Sequence, residues 1–378
     1  MLDGIPEKQQ RWFHRHPKAA LLFFVISVVV VLDSISGRFF LIPPHEIPNP
    51  YYHHDLREKN CKARLNWGNK EYYIYTNSLG FKDGRRRQVT LVPGGYRILF
   101  LGDSFTEGVG LPYEKTFVGI IDTELGKRNI EVLNGSVSSY SPRLYYLKLQ
   151  YLLEKVGLRF NELYLYLDMG DVLDEVNYEH FKSASGRGAL MSFLRIHRFL
   201  LYHSFCYSTF FNYARDKVAF VKSARQALRG YPREDFDYYD SRYTWHEKPE
   251  LPDRFGRRGM ALAEENMQKV YELCKRYNIK ITIGVFPAPR LLTTREAESE
   301  YYEKFWERFC AKWNIPFINL FPDFIKELKP PDYEFEFFIP NDVHFNEFGH
   351  MLIARAWLKR YQQQGFAAQN QDTRMAFP

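Results

Sequence analysis

Cysteine is scarce in this sequence, and the few cysteines are not arranged as metal ligands. The 378 residues contain Cys61, Cys206, Cys274 and Cys310, and no two of them form a C-x-x-C pair. A zinc site is therefore not expected. Cys274 and Cys310 each lie among apolar residues at helical spacing, which predicts two core thiols. A disulfide involving Cys61 or Cys206 stays open if the domain lies outside the cytoplasm.

Basic residues outnumber acidic ones, but the sequence lacks the concentrated basic segment that is typical of nucleic-acid binding. The formal net charge is +7 and the isoelectric point is near 9.0. Apart from the N-terminus and residues 85–87, lysines and arginines are scattered, and no nucleic-acid motif accompanies them. We therefore expect no nucleic-acid partner. Internal repeats and low-complexity tracts are also absent, and 45% hydrophobic residues exclude a disordered chain.

One uncharged run near the N-terminus is long enough to suggest a membrane segment. Residues 19–32, AALLFFVISVVVVL, reach the length of a spanning helix only with their flanks from Pro17 to Ile35. Basic residues precede the run, which predicts a cytoplasmic tail (1–18) and an exported domain. A cleaved signal peptide, suggested by Ser34 and Ser36, is the rival interpretation, and a buried soluble helix is the third. We favour an uncleaved anchor over 19–36, with the domain on the periplasmic side of the cell membrane.

From residue 97 onward, short apolar runs alternate with helix-like stretches. The predicted strands are 98–101, 130–133, 163–167, 279–285 and 317–320, and the predicted helices are 115–127, 143–156, 258–277, 297–313 and 346–363. This alternation predicts an α/β domain over 97–364 with a five-stranded parallel sheet covered on both faces. An inserted helical cap is expected at about 176–256. Residues 37–96 predict an extended lead-in and a small N-terminal β-layer, and 365–378 a flexible tail.

The stretch Arg97–Gly110, RILFLGDSFTEGVG, places a serine directly after the first predicted strand of that domain. A side chain on the turn after a central parallel strand faces the crevice at the carboxyl edge of the sheet, where open α/β folds bind ligands. Ser104 is therefore a candidate nucleophile. The alternative is that Ser104 only caps the following helix, as serine and aspartate often do.

A base and an acid occur near the other end of the chain, in the segment Pro340–His350, PNDVHFNEFGH. A serine hydroxyl attacks an ester only if a base removes its proton, and an imidazole suits this task. Asp342 lies two residues before His344 and projects on the same side of an extended segment, so it can hold the imidazole in one tautomer. His344 is the candidate base, and His350 is its nearest competitor.

These pieces together resemble the SGNH (GDSL-type) hydrolase family over about residues 95–360. Gly102-Asp103-Ser104 matches the first block of the family, and Asp342-x-His344 before a C-terminal helix matches the last. The resemblance implies a flavodoxin-like three-layer α/β fold with Ser104, His344 and Asp342 as catalytic residues, and neither a cofactor nor a metal ion. The short Asp-x-His spacing is similar to that of envelope polysaccharide O-acetyltransferases. Such enzymes usually receive acetyl groups from a multi-spanning membrane acyltransferase.

The two middle blocks depart from the family pattern. Ser136 stands where a glycine is usual, and Gly170 occupies the position of an asparagine in Asp168-Met-Gly-Asp171. The resemblance implies oxyanion donors in the backbone N–H groups of Ser104, Ser136 and Gly170, and substrate contacts by Asp103, Asn134 and Asp171. Because carboxylates facing an oxyanion would oppose it, we expect Asp168, Asp171 and Asp174 to cap the next helix or to pair with arginines of the insertion. Carbohydrate binding is the less favoured alternative for them.

Two functional hypotheses follow from these patterns. The first is a membrane-anchored serine esterase or O-acyltransferase that removes or transfers acyl groups, expected to be acetyl, of an extracytoplasmic polysaccharide or lipid through an acyl-serine. The second is a non-catalytic envelope protein that binds glycan or a partner on a degenerate fold of this type. The missing asparagine favours the second hypothesis, and the intact Ser104, Asp342 and His344 favour the first.

Overall fold

The structure is a computed structural model, and the residues that it describes form two compact units. The described residues are 16–40, 47–49, 51–56, 58–67, 70–179, 196–197, 199–201, 203–214, 217, 256–289, 292, 297–328 and 336–369. One unit comprises Met1–Pro44 and Gly186–Asp235, and the other comprises His45–Ser185 and Phe236–Pro378. Most of the predicted cap, and most of the predicted N-terminal tail, lie outside the described residues.

The second unit is built on an eight-stranded sheet. A separate antiparallel pair precedes it in the chain, so the strands are β1 (Ile47–Asn49), β2 (His53–Asp55), β3 (Lys62–Trp67), β4 (Lys70–Thr76), β5 (Lys82–Asp83), β6 (Arg97–Leu101), β7 (Glu131–Asn134), β8 (Glu162–Leu167), β9 (Lys280–Val285) and β10 (Phe317–Asn319). The order across the large sheet is β10-β9-β8-β6-β7-β5-β4-β3. The first five strands in this order are parallel, as predicted.

The described helices are divided between the two units, and those that follow β6 connect and cover the parallel strands. The helices are α1 (Pro17–Phe40), α2 (Ser104–Glu107), α3 (Phe117–Gly126), α4 (Pro142–Gln150), α5 (Asp171–Tyr178), α6 (Arg257–Arg276), α7 (Ala297–Trp313), α8 (Phe321–Glu327) and α9 (Glu347–Gln369). α3 packs with α9, and α6 packs with α4 and α5. Every residue of β6 and β8 is buried, which explains their continuous apolar runs. α9 extends to Gln369, into the predicted C-terminal tail.

The small β-layer predicted over residues 37–96 contains strands β3, β4 and β5, which continue the large sheet. β5 pairs antiparallel with β7 through Lys82 and Asn134, and β4 and β3 follow it outward in the same sheet. Without them, β7 would be an edge strand with unpaired N–H and C=O groups. The predicted layer is therefore an antiparallel extension of the parallel sheet, and it reaches the side of the sheet on which Ser104 lies.

The first unit contains α1 and the described helical residues between 196 and 217. The segment Pro17–Phe39 of α1 is 23 residues long, is apolar enough to cross a membrane, and has none of its most apolar window buried. A signal sequence has the same properties, so the apolar helix is confirmed while its cleavage and topology stay predictions. In the other unit, Cys274 and Cys310 are buried as expected.

Candidate active site

Three loops meet at the carboxyl edge of the sheet, one after each of the neighbouring strands β7, β6 and β8. Ser104 follows β6, which is the middle strand of the three. The loop after β7 joins it, because the Val137 N–H donates to the Gly102 carbonyl at 3.2 Å. The loop after β8 joins it as well, because carboxylate atoms of Asp103, Asp168 and Asp171 lie within 4.8 Å of one another. All three predicted blocks therefore lie at one edge of the sheet.

The turn between β6 and α2 presents Ser104, whose hydroxyl lies 3.3 Å from Asp103 Oδ2. The Asp103 carboxylate accepts the Phe105 N–H at 2.9 Å, so Asp103 is the residue that caps α2. The alternative in which Ser104 serves only as the cap is wrong for this reason. A glycine is required at position 102, because a Cβ there would lie 2.1 Å from Thr106 Oγ1. The side chain of Ser104 is nearly buried, with 5% of its surface exposed.

The predicted nucleophile, base and acid are joined by hydrogen bonds. Ser104 Oγ lies 2.8 Å from His344 Nε2, and His344 Nδ1 lies 2.5 Å from Asp342 Oδ1. An ionised carboxylate only accepts, so the proton on Nδ1 points to Asp342 and Nε2 is free to accept the serine proton. Sequence positions separated by 240 residues are thus brought within one hydrogen bond of each other.

The base and the acid lie in a loop before α9 that backbone hydrogen bonds fix in place. Phe338 and Phe345 pair as an isolated bridge, and the Ile339 N–H donates to the His344 carbonyl at 2.8 Å. Asn341 turns the chain at a φ of 60°, a conformation that asparagine tolerates better than most residues. The loop is therefore fixed on both sides of Asp342 and His344.

Three N–H groups hold the Asp342 carboxylate. Oδ1 accepts the His344 backbone N–H at 3.0 Å besides the imidazole, and Oδ2 accepts the indole N–H of Trp67 at 2.6 Å. Burial alone would raise the pKa of Asp342, but the hydrogen bonds and charge of His344, and the Trp67 N–H, outweigh it and lower the pKa below its usual value. The acid therefore stays ionised at neutral pH.

Trp67 is a site residue that the sequence analysis missed. It ends β3, in the N-terminal extension of the sheet, and lies 275 positions before Asp342 in the chain. Its ring also meets the His344 ring edge-on, with centroids 5.2 Å apart. A tryptophan at the end of an alternating strand is a common packing residue, and nothing local to it indicates an acid as its partner.

The competing histidine has a different role. His350 on α9 is 1% exposed, and its Nδ1 accepts the Phe117 N–H at 3.1 Å. Burial, followed by the positive charges of Lys82 and His344, lowers the pKa of His350 to about 3. A group that resists protonation in this way holds the start of α3 and is a poor general base near neutral pH.

The residues predicted to bind the oxyanion and the substrate lie in the same three loops. The Ser136 N–H donates to Asn134 Oδ1 at 3.1 Å, and Asn134 Nδ2 donates to the Thr106 carbonyl at 3.0 Å. Both ends of the Asn134 amide are thus used within the chain, and an oxyanion would have to share the Ser136 N–H. Ser104 begins α2 and Gly170 directly precedes α5, where N–H groups have no partner inside the helix.

Of the carboxylates expected to cap α5, that of Asp168 accepts a backbone N–H at the start of the helix, whereas that of Asp171 accepts a tyrosine hydroxyl. Asp168 Oδ1 accepts the Asp171 N–H at 3.1 Å, at the start of α5, and the Tyr145 hydroxyl donates to Asp171 Oδ1 at 3.2 Å. Asp103, Asp168 and Asp171 also form the group of described residues whose spacing could hold a metal ion. The absence of a metal from the expected chemistry therefore stays a prediction.

Comparisons with known proteins found similar solved structures only. No protein-family model matches the sequence, and no curated protein matches it. The esterase EstA from Pseudoalteromonas sp. is 12% identical with a TM-score of 0.39, over 71% of this chain and 98% of that one. Axe2, an acetylxylan esterase from Geobacillus stearothermophilus, is 14% identical with a TM-score of 0.41, over 71% and 95%.

A lipolytic protein of the G-D-S-L family from Veillonella parvula is similar to the same extent. It is 13% identical with a TM-score of 0.38, over 70% of this chain and 97% of that one. Identities this low say nothing about the reaction, so the function has to be inferred from the site itself.

Proposed function

We propose that this protein is a serine esterase or O-acyltransferase that forms an acyl-Ser104 intermediate. The observation that carries the proposal is the hydrogen-bonded series Ser104, His344 and Asp342, with 2.8 Å and 2.5 Å between the joined atoms. A serine that is hydrogen-bonded to an imidazole, with an ionised acid on the other ring nitrogen, has the arrangement that nucleophilic acyl transfer requires. The resemblance to SGNH hydrolases at both ends of the domain supports the same reaction.

The first half-reaction follows from this arrangement. Ser104 Oγ attacks the ester carbonyl while His344 Nε2 takes the hydroxyl proton, and Asp342 stabilises the imidazolium that forms. Collapse of the tetrahedral intermediate breaks the ester C–O bond, and the imidazolium returns its proton to the leaving alcohol. The predicted donors to the oxyanion are the N–H groups of Ser104 and Gly170, with a shared contribution from Ser136.

The second half-reaction decides between hydrolysis and transfer. Water or a sugar hydroxyl loses its proton to His344 and attacks the acyl group, which regenerates Ser104 and releases either the free acid or a new ester. The roles of Ser104 and His344 are the same for both acceptors. We propose an acylated extracytoplasmic polysaccharide or lipid as substrate, because α1 offers a membrane anchor and basic residues precede it. If the reaction is transfer, the donor partner is expected to be a multi-spanning membrane acyltransferase.

A fluorophosphonate probe tests the proposal directly, because it labels serines that a neighbouring base activates. Purified full-length protein in detergent should be labelled, and Ser104→Ala should abolish the labelling. Ser27→Ala is a matched control, since the Ser27 hydroxyl only donates to the Phe23 carbonyl within α1. An unlabelled wild-type protein, beside a labelled control hydrolase, would contradict the enzyme and favour the glycan- or partner-binding hypothesis.

A second assay separates hydrolysis from transfer. The full chain is incubated with p-nitrophenyl acetate, with and without an oligosaccharide, and the sugar is analysed by mass spectrometry. An acetylated sugar that Ser104→Ala fails to produce identifies a transferase, and acetate alone identifies an esterase.

A further inference from the structure

We propose that the helical segment 205–214 lies in the interfacial zone of the membrane that α1 enters, with the side chains of Phe210 and Tyr213 in lipid. This inference rests on the proposed membrane anchor and is independent of the chemistry at Ser104. It assigns a location, and a lipid bilayer as the binding partner, to part of the insertion that follows α5.

The segment is joined to α1 at the point where the uncharged run ends. Asp33 is the first charged residue after the run, and its Oδ1 accepts the Cys206 N–H at 2.7 Å. His203 and the side chains of α1 from Val30 to Arg38 line a common groove of about 570 Å³. The segment therefore runs beside the last turns of α1, within the same compact unit.

The depth of Asp33 in the membrane explains why a hydrogen-bond donor to its carboxylate is favourable. The uncharged residues 19–32 rise by about 21 Å as a helix, which is less than the roughly 30 Å of a hydrocarbon core. Asp33 consequently lies at or just inside the boundary of the core, where a carboxylate without hydrogen-bond donors is costly. The Cys206 N–H comes from the first turn of the neighbouring helical segment, and such N–H groups favour an anionic partner.

The other face of the segment is apolar and exposed. Phe210 and Tyr213 are three residues apart, so they share one face of the helix, and they are 70% and 61% exposed. Ser208, on the opposite side, is 6% exposed. Ile196 and Phe199, in the helical residues just before, are 61% and 59% exposed. Aromatic side chains beside the end of an apolar span are typical of the aromatic belt at a membrane surface.

Charge at the edge of this face fits phospholipid headgroups. Lys217 Nζ lies 5.4 Å from the centre of the Tyr213 ring, and Arg38 lines the groove beside His203. Long cationic side chains can reach the headgroup level while their stems stay on apolar surface. An aromatic face with cations at its border therefore matches a bilayer surface better than it matches bulk water.

Spin-label accessibility tests the proposal on the full-length chain in nanodiscs of phosphatidylcholine and phosphatidylglycerol. The background carries Cys61→Ser and Cys206→Ser, because Cys274 and Cys310 are buried. A nitroxide is placed at Phe210→Cys or Tyr213→Cys, and its collisions with oxygen, which is enriched in lipid, are compared with those with a water-soluble nickel complex. We expect an oxygen-to-nickel ratio several-fold higher at both positions than at Asn212→Cys, an exposed control on the opposite side of the same helix.

Two further labels make failure of the anchor distinguishable from failure of this inference. Val29→Cys lies in the uncharged run of α1 and reports the anchor, and Lys127→Cys reports an exposed site of the other unit. If the label at 29 is in lipid while those at 210 and 213 match the ones at 212 and 127, the interfacial helix is overturned and the anchor stands. If the label at 29 is itself in water, the anchor is wrong and the inference falls with it.

Discussion

The two ends of the parallel sheet carry similar residue types in different arrangements. At the carboxyl end, Asp342 accepts from Trp67 and from His344, which in turn reaches Ser104. At the amino end, Glu162 accepts hydrogen bonds from the hydroxyls of Tyr96 and Tyr164 at 3.2 Å and 3.1 Å. A groove of about 810 Å³ lies there, lined among others by Tyr96, Tyr271, Trp313, Tyr361, Arg128 and Lys280.

The two ends of the sheet differ in the hydrogen-bond partners of their acids. Glu162 is held by two phenols, which remain protonated, and within the described chain it makes no hydrogen bond to an imidazole or an aliphatic hydroxyl. Asp342 is held by donors as well, but one of them is an imidazole whose other nitrogen meets a serine. A cavity with aromatic and charged walls therefore does not by itself indicate catalysis. A nucleophile, a base and an acid that are joined by hydrogen bonds do indicate it.

The largest expected effect tests this comparison with one carboxylate from each end. Asp342→Asn keeps the size of the side chain but removes the charge that stabilises the imidazolium and fixes its tautomer. We expect hydrolysis of p-nitrophenyl acetate to fall by about 10⁴-fold. Glu162→Gln makes the same change at the amino end and should leave the rate within about twofold of wild type. In the described chain the Glu162 carboxylate accepts only from the Tyr96 and Tyr164 hydroxyls.

Steady-state rates of the purified full chains check both expectations. Equal losses in the two variants would mean that the amide substitution acts through stability, and the distinction between the ends would be lost. A loss confined to Glu162→Gln would place the chemistry at the amino end.

The second prediction distinguishes the roles of the two histidines at the carboxyl end, His344 and His350. The pKa of His350 is lowered from 6.5 to about 3, so between these values the unfolded chain binds a proton that the folded chain does not. The free energy of unfolding therefore decreases as the pH falls, by about 2 kcal/mol between pH 7 and pH 5 from this residue alone. His350→Asn, which can still accept the Phe117 N–H, should remove this decrease.

Urea unfolding of wild type and His350→Asn at pH 7 and pH 5 measures the effect, since the comparison cancels the other titrating groups. Fluorophosphonate labelling at pH 7.5 should persist in the variant, because His350 is not linked to Ser104. An identical pH dependence in both proteins would show that His350 is protonated in the folded state.

Much of the fold could be predicted because it depends on local patterns. The continuous apolar runs of β6 and β8 indicate strands buried on both faces, and the alternation with helices fixes their parallel direction. The pairing of β5 with β7 could not be predicted in this way, because Lys82 and Asp83 form a strand of two residues with no apolar alternation. The position of β5 depends on the edge of β7, which exists only when the parallel sheet has assembled.

In the candidate site too, some residues are predictable from local motifs and others are not. Ser104, Asp342 and His344 are recognisable because each belongs to a short motif at the end of a strand or before a helix. Asp103 caps α2, and the Asn134 amide connects two loops by hydrogen bonds. Both roles depend on the directions of neighbouring backbone groups, which the sequence does not reveal. Trp67 is the extreme case, because its partner is 275 positions away in the chain.

The smallest expected effect on catalysis compares a tryptophan from each end. Trp67→Phe removes an N–H that donates to a charged oxygen, and a bond of this kind contributes enough to expect about a tenfold loss in the rate of fluorophosphonate labelling. Without this donor Asp342 is a stronger base, so the pH at which labelling reaches half its maximum should rise. Trp313→Phe is the matched control, because Trp313 is half-buried and its buried indole N–H has no acceptor in the described part of the chain.

A replacement of Trp67 by 3-benzothienylalanine separates the hydrogen bond from packing, because sulfur replaces the N–H in a ring system of the same shape. If Trp67 positions Asp342 through its N–H, this protein should share the reduced rate and the shifted pH profile of Trp67→Phe. A benzothienyl protein with the wild-type rate and profile would reduce Trp67 to a packing residue. The N-terminal extension of the sheet would then only cover the edge of β7 and contribute nothing to the chemistry of Ser104.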